Sequence, residues 1–267
     1  NNLTYQYDKT RKALDNVSMD FNKGNIIGII GSNGSGKSTL FNNLMGILKS
    51  TEGEILYNGE QIKYDKKSLY NLRKEVGIVF QDPEKQIFYS MVYDDIAFAL
   101  RNIGIDEKTI KERIHTALEA VNGLQFIDRP VHNLSFGQKK RVAIASVVAM
   151  ENKLVLLDEP TAGLDPISTR AIVDIIKGLN KRGVKIVISS HDMNLIYEIC
   201  DYVYVLNQGV LINEGTREEV FINEEKIDEA GLELPWLVKL HKNMGLPLFT
   251  REEDLYSYWN HREQKTV

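Results

Sequence analysis

Residues 31–38 read Gly31-Ser-Asn-Gly-Ser-Gly-Lys-Ser38, and they lie between an apolar run at 26–30 and a helical pattern at 39–48. No other feature constrains the fold as strongly. Glycines at 31, 34 and 36 let successive backbone N–H groups curl around an anion, and the helix that follows aims its positive end at the same point. Strand, phosphate-binding loop and helix in that order predict an α/β protein with a largely parallel sheet. Lys37 is expected to reach the β- and γ-phosphates of a nucleotide and Ser38 to ligate Mg²⁺. Ser32, Asn33, Ser35 and Thr39 complete the loop and the first turn of its helix.

The rest of the chain is consistent with that sheet. Runs at 76–80, 154–157 and 185–189 are apolar on both faces, as strands covered on both sides must be. Asn58-Gly59 predicts a tight hairpin within 53–62, and a second hairpin is expected to turn at 207–209. Between 80 and 154 the pattern is mainly helical, which predicts an inserted helical subdomain over about 83–150. A separate helical tail is expected over 216–267. The apolar runs at 26–30 and 142–150 fall far short of the roughly 20 residues that a membrane span needs. The chain begins at Asn1 without a methionine, so a few native residues are expected to precede it. A formal charge of −4, from 33 basic and 37 acidic side chains, argues against nucleic acid as a partner. The single cysteine, Cys200, excludes an internal disulfide and suits a reducing compartment.

A phosphate loop needs an acidic partner for its metal. Asp158 and Glu159 supply one directly after the apolar run at 154–157. Asp158 is expected to hold Mg²⁺, and Glu159 to act as general base or to orient the attacking water. These features describe a nucleotide hydrolase without saying which kind, since kinases and GTPases share them.

The sequence Leu134-Ser135-Phe136-Gly137-Gln138 narrows the field. It stands at the mouth of a helical pattern, upstream of Asp158, and here the chain resembles the ATP-binding-cassette family, whose signature motif has this form and position. The resemblance implies a P-loop NTPase cassette with a RecA-like parallel core sheet, an antiparallel β subdomain and the inserted helical subdomain. In that family the signature serine and glycine contact the γ-phosphate held by an opposite subunit, so Ser135 and Gly137 are expected to serve in trans. Phe136 stands where many members carry glycine. The resemblance extends to Gln81 as a residue that meets Mg²⁺, to Asp165 in the loop Ala162-Gly-Leu-Asp165 at the dimer seam, and to His191 as the link between γ-phosphate and Glu159. Tyr7 resembles the aromatic that stacks on adenine, with Tyr5 close enough to compete. The resemblance covers roughly residues 1–215.

A narrower resemblance lies in Phe80-Gln-Asp-Pro-Glu-Lys-Gln-Ile-Phe88, which looks like the corresponding segment of energy-coupling-factor transporter ATPases, the cobalt-uptake type included. It implies a peripheral protein on the cytoplasmic face of the cell membrane, working as a homo- or heterodimer of ATPases. Its expected partners are a transmembrane scaffold subunit and a substrate-capturing membrane subunit, with cobalt, nickel and vitamins as cargo classes. Phe88, Tyr89, Met91 and Tyr93 are candidates to line the groove for the scaffold. A non-transport cassette ATPase acting as a soluble switch is the competing reading, and the coiled-coil or zinc-binding insertions and second cassettes common there are missing from this sequence. In the tail, Trp236, Leu237, Leu240 and Met244 are spaced to bury one helical face, and Leu255, Tyr258 and Trp259 a second.

Overall fold

The computed structural model describes residues 1–8 and 11–263. Strands β1 (Leu3–Gln6) and β2 (Lys12–Val17) form an antiparallel pair ahead of β3 (Ile26–Ile30), the phosphate loop and α1 (Lys37–Leu44). The hairpin β4 (Leu56–Tyr57) and β5 (Glu60–Gln61) leads to α2 (Lys66–Glu75) and β6 (Val76–Val79). Three helices follow, α3 (Val92–Asn102), α4 (Glu107–Ala120) and α5 (Phe136–Ala149), and then β7 (Leu154–Asp158). The chain continues through α6 (Pro166–Lys181), β8 (Lys185–Ser190), α7 (Met193–Ile199), β9 (Tyr202–Asn207) and β10 (Val210–Thr216). It closes with α8 (Arg217–Ile222), α9 (Glu224–Glu229), α10 (Trp236–Met244) and α11 (Glu252–Glu263).

The central sheet has the order β10-β9-β3-β8-β7-β6. The strands from β9 to β6 are parallel, and β10 returns antiparallel on β9 through a turn at Gln208-Gly209. Alternation along β3 explains why every residue of that strand is apolar. Ile27 and Ile29 face a layer with Leu40, Phe41 and Tyr204, whereas Ile26 and Ile30 face the layer that holds Ile188, Ile196 and Tyr197. Because β3, β8, β7 and β6 lie side by side and point the same way, the residues that follow each of them collect along one edge. In open parallel sheets that carboxyl edge is where ligands bind.

Two boundaries differ from the sequence expectation. α1 stops at Leu44 rather than 48, because Gly46 turns left-handed at φ 62° and the amides of Gly46 and Ile47 close back onto the carbonyls of Asn43 and Asn42. In the tail, α10 buries Leu237 and Val238 together with the preceding Leu234, while Met244 is 64% exposed. The buried stripe thus runs through 234, 237 and 238, and Met244, beside the left-handed Gly245, lies past the contact. Trp259 is likewise exposed, whereas Leu255 packs on the core and Tyr258 stacks on Phe249 with ring centroids 5.3 Å apart.

Val220, Phe221, Ile227, Leu234 and Leu237 join the hydrophobic cluster that contains Ile196, Val203 and Val205, and the Phe221 ring meets the edge of Tyr197 at 5.6 Å. The tail therefore packs against its own sheet. Residues 264–267, the end of the expected tail, lie outside the described residues. Among the described residues, no helix is long and apolar enough to cross a membrane.

Candidate functional site

The carboxyl edge of the sheet brings together side chains that are far apart in sequence. The phosphate loop leaves β3, Asp158 ends β7 with Glu159 behind it, His191 follows β8 and Gln81 follows β6. A cavity of about 460 Å³ opens there, lined among others by Tyr7, Gly36, Lys37, Ser38, Gln81 and Glu159. The loop itself is packed too closely for any residue but glycine at two points. A Cβ on Gly36, at φ 107°, would sit 2.7 Å from the Ala13 carbonyl, and one on Gly31 would sit 2.3 Å from the Leu206 carbonyl. Gly36 precedes α1 with no side-chain cap, so the helix's first amides are left for a ligand.

Lys37 is buried under the loop, where its Nζ donates to the Gly31 carbonyl at 2.7 Å and the Ser32 carbonyl at 3.1 Å. Burial pushes its pKa down, against the opposing pull of Glu159 and Asp158. Ser38 is exposed to the cavity, and Thr39 is buried with its hydroxyl 3.2 Å from that of Tyr7. The Ser35 hydroxyl is buried and has no partner among the described residues.

Glu159 is the most heavily tethered residue of the site. Its Oε2 lies 2.8 Å from His191 Nδ1 and accepts from the His191 amide at 3.4 Å, and Lys37 Nζ lies 4.0 Å from Oε1. Its amide donates to the Ser189 carbonyl at 3.1 Å and to Ser189 Oγ at 3.2 Å. Its carbonyl accepts from the Ala162 amide at 3.2 Å and from Lys140 Nζ at 2.9 Å. These tethers hold a left-handed backbone, φ 46°, that costs a residue other than glycine about 1–3 kcal/mol. Ser189 Oγ also donates to Asp158 Oδ1 at 2.5 Å, which leaves the second carboxylate oxygen of this buried side chain free of that bond.

Two of these partners escape sequence reading. Ser189 is a polar residue next to the end of an apolar strand, a usable signal. Lys140 lies on α5 and reads as a solvated lysine, yet it is fully buried, and burial pushes its pKa down to about 8 against Asp158, Glu159 and Asp82.

The end of β1 gives Tyr5 and Tyr7 different surroundings. Tyr5 pairs with Leu14 in the ladder and packs into the core, whereas Tyr7 lies beyond the strand, 65% exposed at the cavity mouth. Tyr5 props it edge-on at 5.0 Å.

The Leu134–Gln138 turn is not part of this cavity. Leu134 is buried, and Ser135 is the N-cap of α5 in a full capping box: Gln138 donates its amide to Ser135 Oγ, and the Ser135 amide donates to Gln138 Oε1 at 2.9 Å. Phe136 is partly exposed, with its ring 5.9 Å from Lys140 Nζ. Asp165 caps α6, accepting from the Ser168 amide and hydroxyl, and Pro166 opens that helix. Of the groove candidates, Phe88 is 77% exposed and Tyr89 stacks on Phe98 at 5.4 Å, while Met91 is half-buried and Tyr93 turns toward the core. Phe98 was not among the residues the sequence singled out. The segment is pinned by Gln86, which accepts from the Phe80 amide and donates to the Ala143 carbonyl, and by buried Asp95, which accepts from the amides of Phe88 and Tyr89.

An adenine nucleotide fits the donor set: an uncapped helix start, a buried lysine and an aromatic at the mouth. Among the described residues, no group of three or more His, Cys, Asp or Glu could cage a metal by itself. The oxygen donors Ser38 and Asp158 instead suit a Mg²⁺ that takes most of its ligands from phosphate and water.

The pattern of the ABC transporter family matches residues 14–162. The cobalt import ATP-binding protein CbiO of Salmonella typhimurium is 46% identical over 98% of this chain and 95% of its own. The energy-coupling factor transporter ATP-binding protein EcfA of Methanocaldococcus jannaschii is 45% identical over 89% of this chain and 85% of its own. Among solved structures, CbiO1 of Clostridium perfringens, described as part of the ABC transporter complex CbiONQ, superposes with a TM-score of 0.77 at 42% identity, covering 90% of this chain and 96% of that one. A dimeric ATP-binding cassette in a post-hydrolysis state, with ADP and phosphate bound, superposes at 0.72 with 28% identity over 81% and 97%.

Proposed function

The chain belongs to the ABC transporter family, as an ATP-binding and ATP-hydrolysing subunit of the cobalt-import and energy-coupling-factor type, and from that premise we propose how its residues divide the work. The amides of 31–36 and the start of α1 hold the phosphates of ATP, Lys37 neutralises the β- and γ-phosphates, and the Tyr7 ring stacks on adenine. Ser38, Asp158 and Gln81 are the residues that hold Mg²⁺, which supplies charge neutralisation on the β- and γ-oxygens. Glu159 is the general base for the attacking water, and His191 keeps its carboxylate aimed. Ser135 and Gly137, flanked by Leu134, Phe136 and Gln138, meet the γ-phosphate of a second cassette, with Asp165 at the seam. Two ATP molecules thereby favour the closed pair, and hydrolysis releases it.

The reading extends to the architecture around the site. Residues 1–215 form the ATPase unit, with a helical subdomain over about 83–150, and 216–267 the C-terminal extension, whose residues 220–238 pack onto that unit. The subunit works at the cytoplasmic face of the cell membrane, beside a transmembrane scaffold subunit that docks near Phe88, Tyr89 and Phe98 and a membrane subunit that captures the cargo. Cargo choice belongs to that last subunit, so cobalt, nickel and vitamins are separated by it and not by this chain.

The observation that supports this reading most is the Glu159 carboxylate held between His191 and Lys37 at the floor of the loop cavity. Glu159→Gln is expected to lower kcat for ATP hydrolysis at least about 100-fold while retaining ATP-dependent dimers in size-exclusion chromatography. Turnover near the wild-type rate in that variant would remove Glu159 from the chemistry. Co-purification from native membranes in mild detergent is expected to recover both membrane subunits, and ribosomal or DNA-bound partners in their place would contradict the transport assignment.

A further inference from the structure

Lys140 is a cation closed off from bulk solvent. It is 0% exposed, although it sits in the second turn of α5 among residues that could all be apolar. Burying an ammonium is unfavourable, and an aliphatic side chain of the same length would fill the space without that cost. Among the described residues its Nζ donates one hydrogen bond, to the main-chain carbonyl of Glu159 at 2.9 Å. The ring of Phe136, one turn earlier on the same helix, lies over that ammonium at 5.9 Å, and a Cβ on Gly163, in the turn after Glu159, would meet that ring at 3.5 Å.

We infer that Lys140 is a positioning residue for Glu159: from the signature helix it clamps the strained peptide that decides where the Glu159 carboxylate points. A non-glycine residue at φ 46° stays there only while its surroundings over-determine it. The Ser189 and Ala162 contacts are main-chain and side-chain bonds within the sheet edge and its own turn, whereas Lys140 is the grip that comes from a different layer of the molecule. The same helix opens with Ser135, which is exposed and capped. A shift of α5 when Ser135 meets the nucleotide of a second cassette is therefore passed to Glu159 through one side chain. Phe136, in the place where many family members carry glycine, seals that contact from water.

This inference rests on Glu159 being the base, so the test separates the two. In the full chain, assembled with its membrane subunits where turnover requires them, kcat and KM for ATP are measured beside the equilibrium Kd of a fluorescent ATP analogue and the melting temperature. The variants are Lys140→Met, Lys140→Arg and Glu159→Gln. Lys140→Met keeps the volume and removes the donor, and is expected to lower kcat about 10- to 100-fold, the loss that follows when a reacting group is misplaced by about an ångström. Its Kd is expected to stay within about twofold. Lys140→Arg, which keeps a charged donor at that depth, is expected to recover part of the loss and covers the case in which the methionine variant fails to fold. A folded Lys140→Met with wild-type kcat, or a kcat loss matched by an equal loss of nucleotide affinity, would overturn the role of Lys140. An inactive Glu159→Gln beside a fully active Lys140→Met leaves the base in place and removes only the clamp, whereas an active Glu159→Gln removes both.

Discussion

Gly36 and Gly137 stand at the beginnings of two helices, α1 and α5, and the chain treats the two beginnings in opposite ways. At Gly36 the backbone is left-handed, a Cβ would strike the Ala13 carbonyl, and no side chain caps the helix. At Gly137 the backbone is ordinary helix, the nearest obstacle to a Cβ is the Ser168 hydroxyl at 3.2 Å, a side-chain atom and not backbone, and Ser135 with Gln138 caps the helix from within. One turn is built with its amides unspent and its shape enforced by neighbouring backbone. The other carries its own side-chain cap and presents its serine outward. This is the division expected when the first turn holds the protein's own nucleotide and the second completes a site on another copy.

The sharpest way to break that contrast is to put the same methyl group at both positions. Gly36→Ala is expected to destabilise the fold by about 2–3 kcal/mol, through the positive φ and the carbonyl contact together, and to weaken ATP binding. Gly137→Ala is expected to change stability by no more than about 1 kcal/mol, since alanine favours a helix and the gain offsets a small displacement of the Ser168 hydroxyl. Thermal unfolding of the two variants side by side measures both. Equal losses would mean that the signature turn is as constrained as the phosphate loop.

The contrast also marks what the sequence could reveal. Gly31 to Ser38, Asp158, Glu159 and His191 were legible because each follows a run apolar on both faces, and such a run in an α/β chain delivers whatever comes next to the carboxyl edge of the sheet. The parallel core and both hairpins followed from the same patterns. Features set by where an element stops, or by three-dimensional enclosure, were not legible. Tyr5 and Tyr7 have the same parity and the same chemistry, and only the end of β1 at Gln6 separates a core ring from one at the cavity mouth. Met244 fits the helical stripe but falls past its last contact. Lys140 is the extreme case, because nothing local distinguishes a lysine that snorkels from one sealed under a phenylalanine.

A smaller effect sharpens the comparison from the α5 side. Ser135→Ala removes the helix cap and is expected to cost about 1 kcal/mol in thermal or denaturant unfolding. In the proposed dimer it is also expected to depress turnover while leaving the Kd of the isolated chain for an ATP analogue unchanged, because Ser135 lies outside the chain's own cavity. A parallel fall in that Kd would place Ser135 in the chain's own nucleotide site and dissolve the distinction between the two helix beginnings.

The smallest expected effect concerns stability and pH at Lys140, and it runs opposite to the loss of turnover expected from the same substitution. The folded-state pKa of about 8 lies below the ordinary lysine value of 10.5. Between those two values the unfolded chain binds the proton more tightly than the folded one, so the native protein gains stability as pH rises across that window. Below about 8 it carries the whole cost of the buried charge, and above 10.5 it carries none. Lys140→Met, which has no proton to bind, is therefore expected to be more stable than the native chain at pH 7, by up to about 1 kcal/mol once the lost bond to Glu159 is set against the relief of burial. That advantage is expected to shrink steadily between pH 8 and 10.5 in paired melting curves. A variant that is less stable at pH 7, with a deficit independent of pH, would mean that the bond to Glu159 outweighs the buried charge. Lys140 would then be a structural tie, not a stability sacrifice retained for the orientation of Glu159.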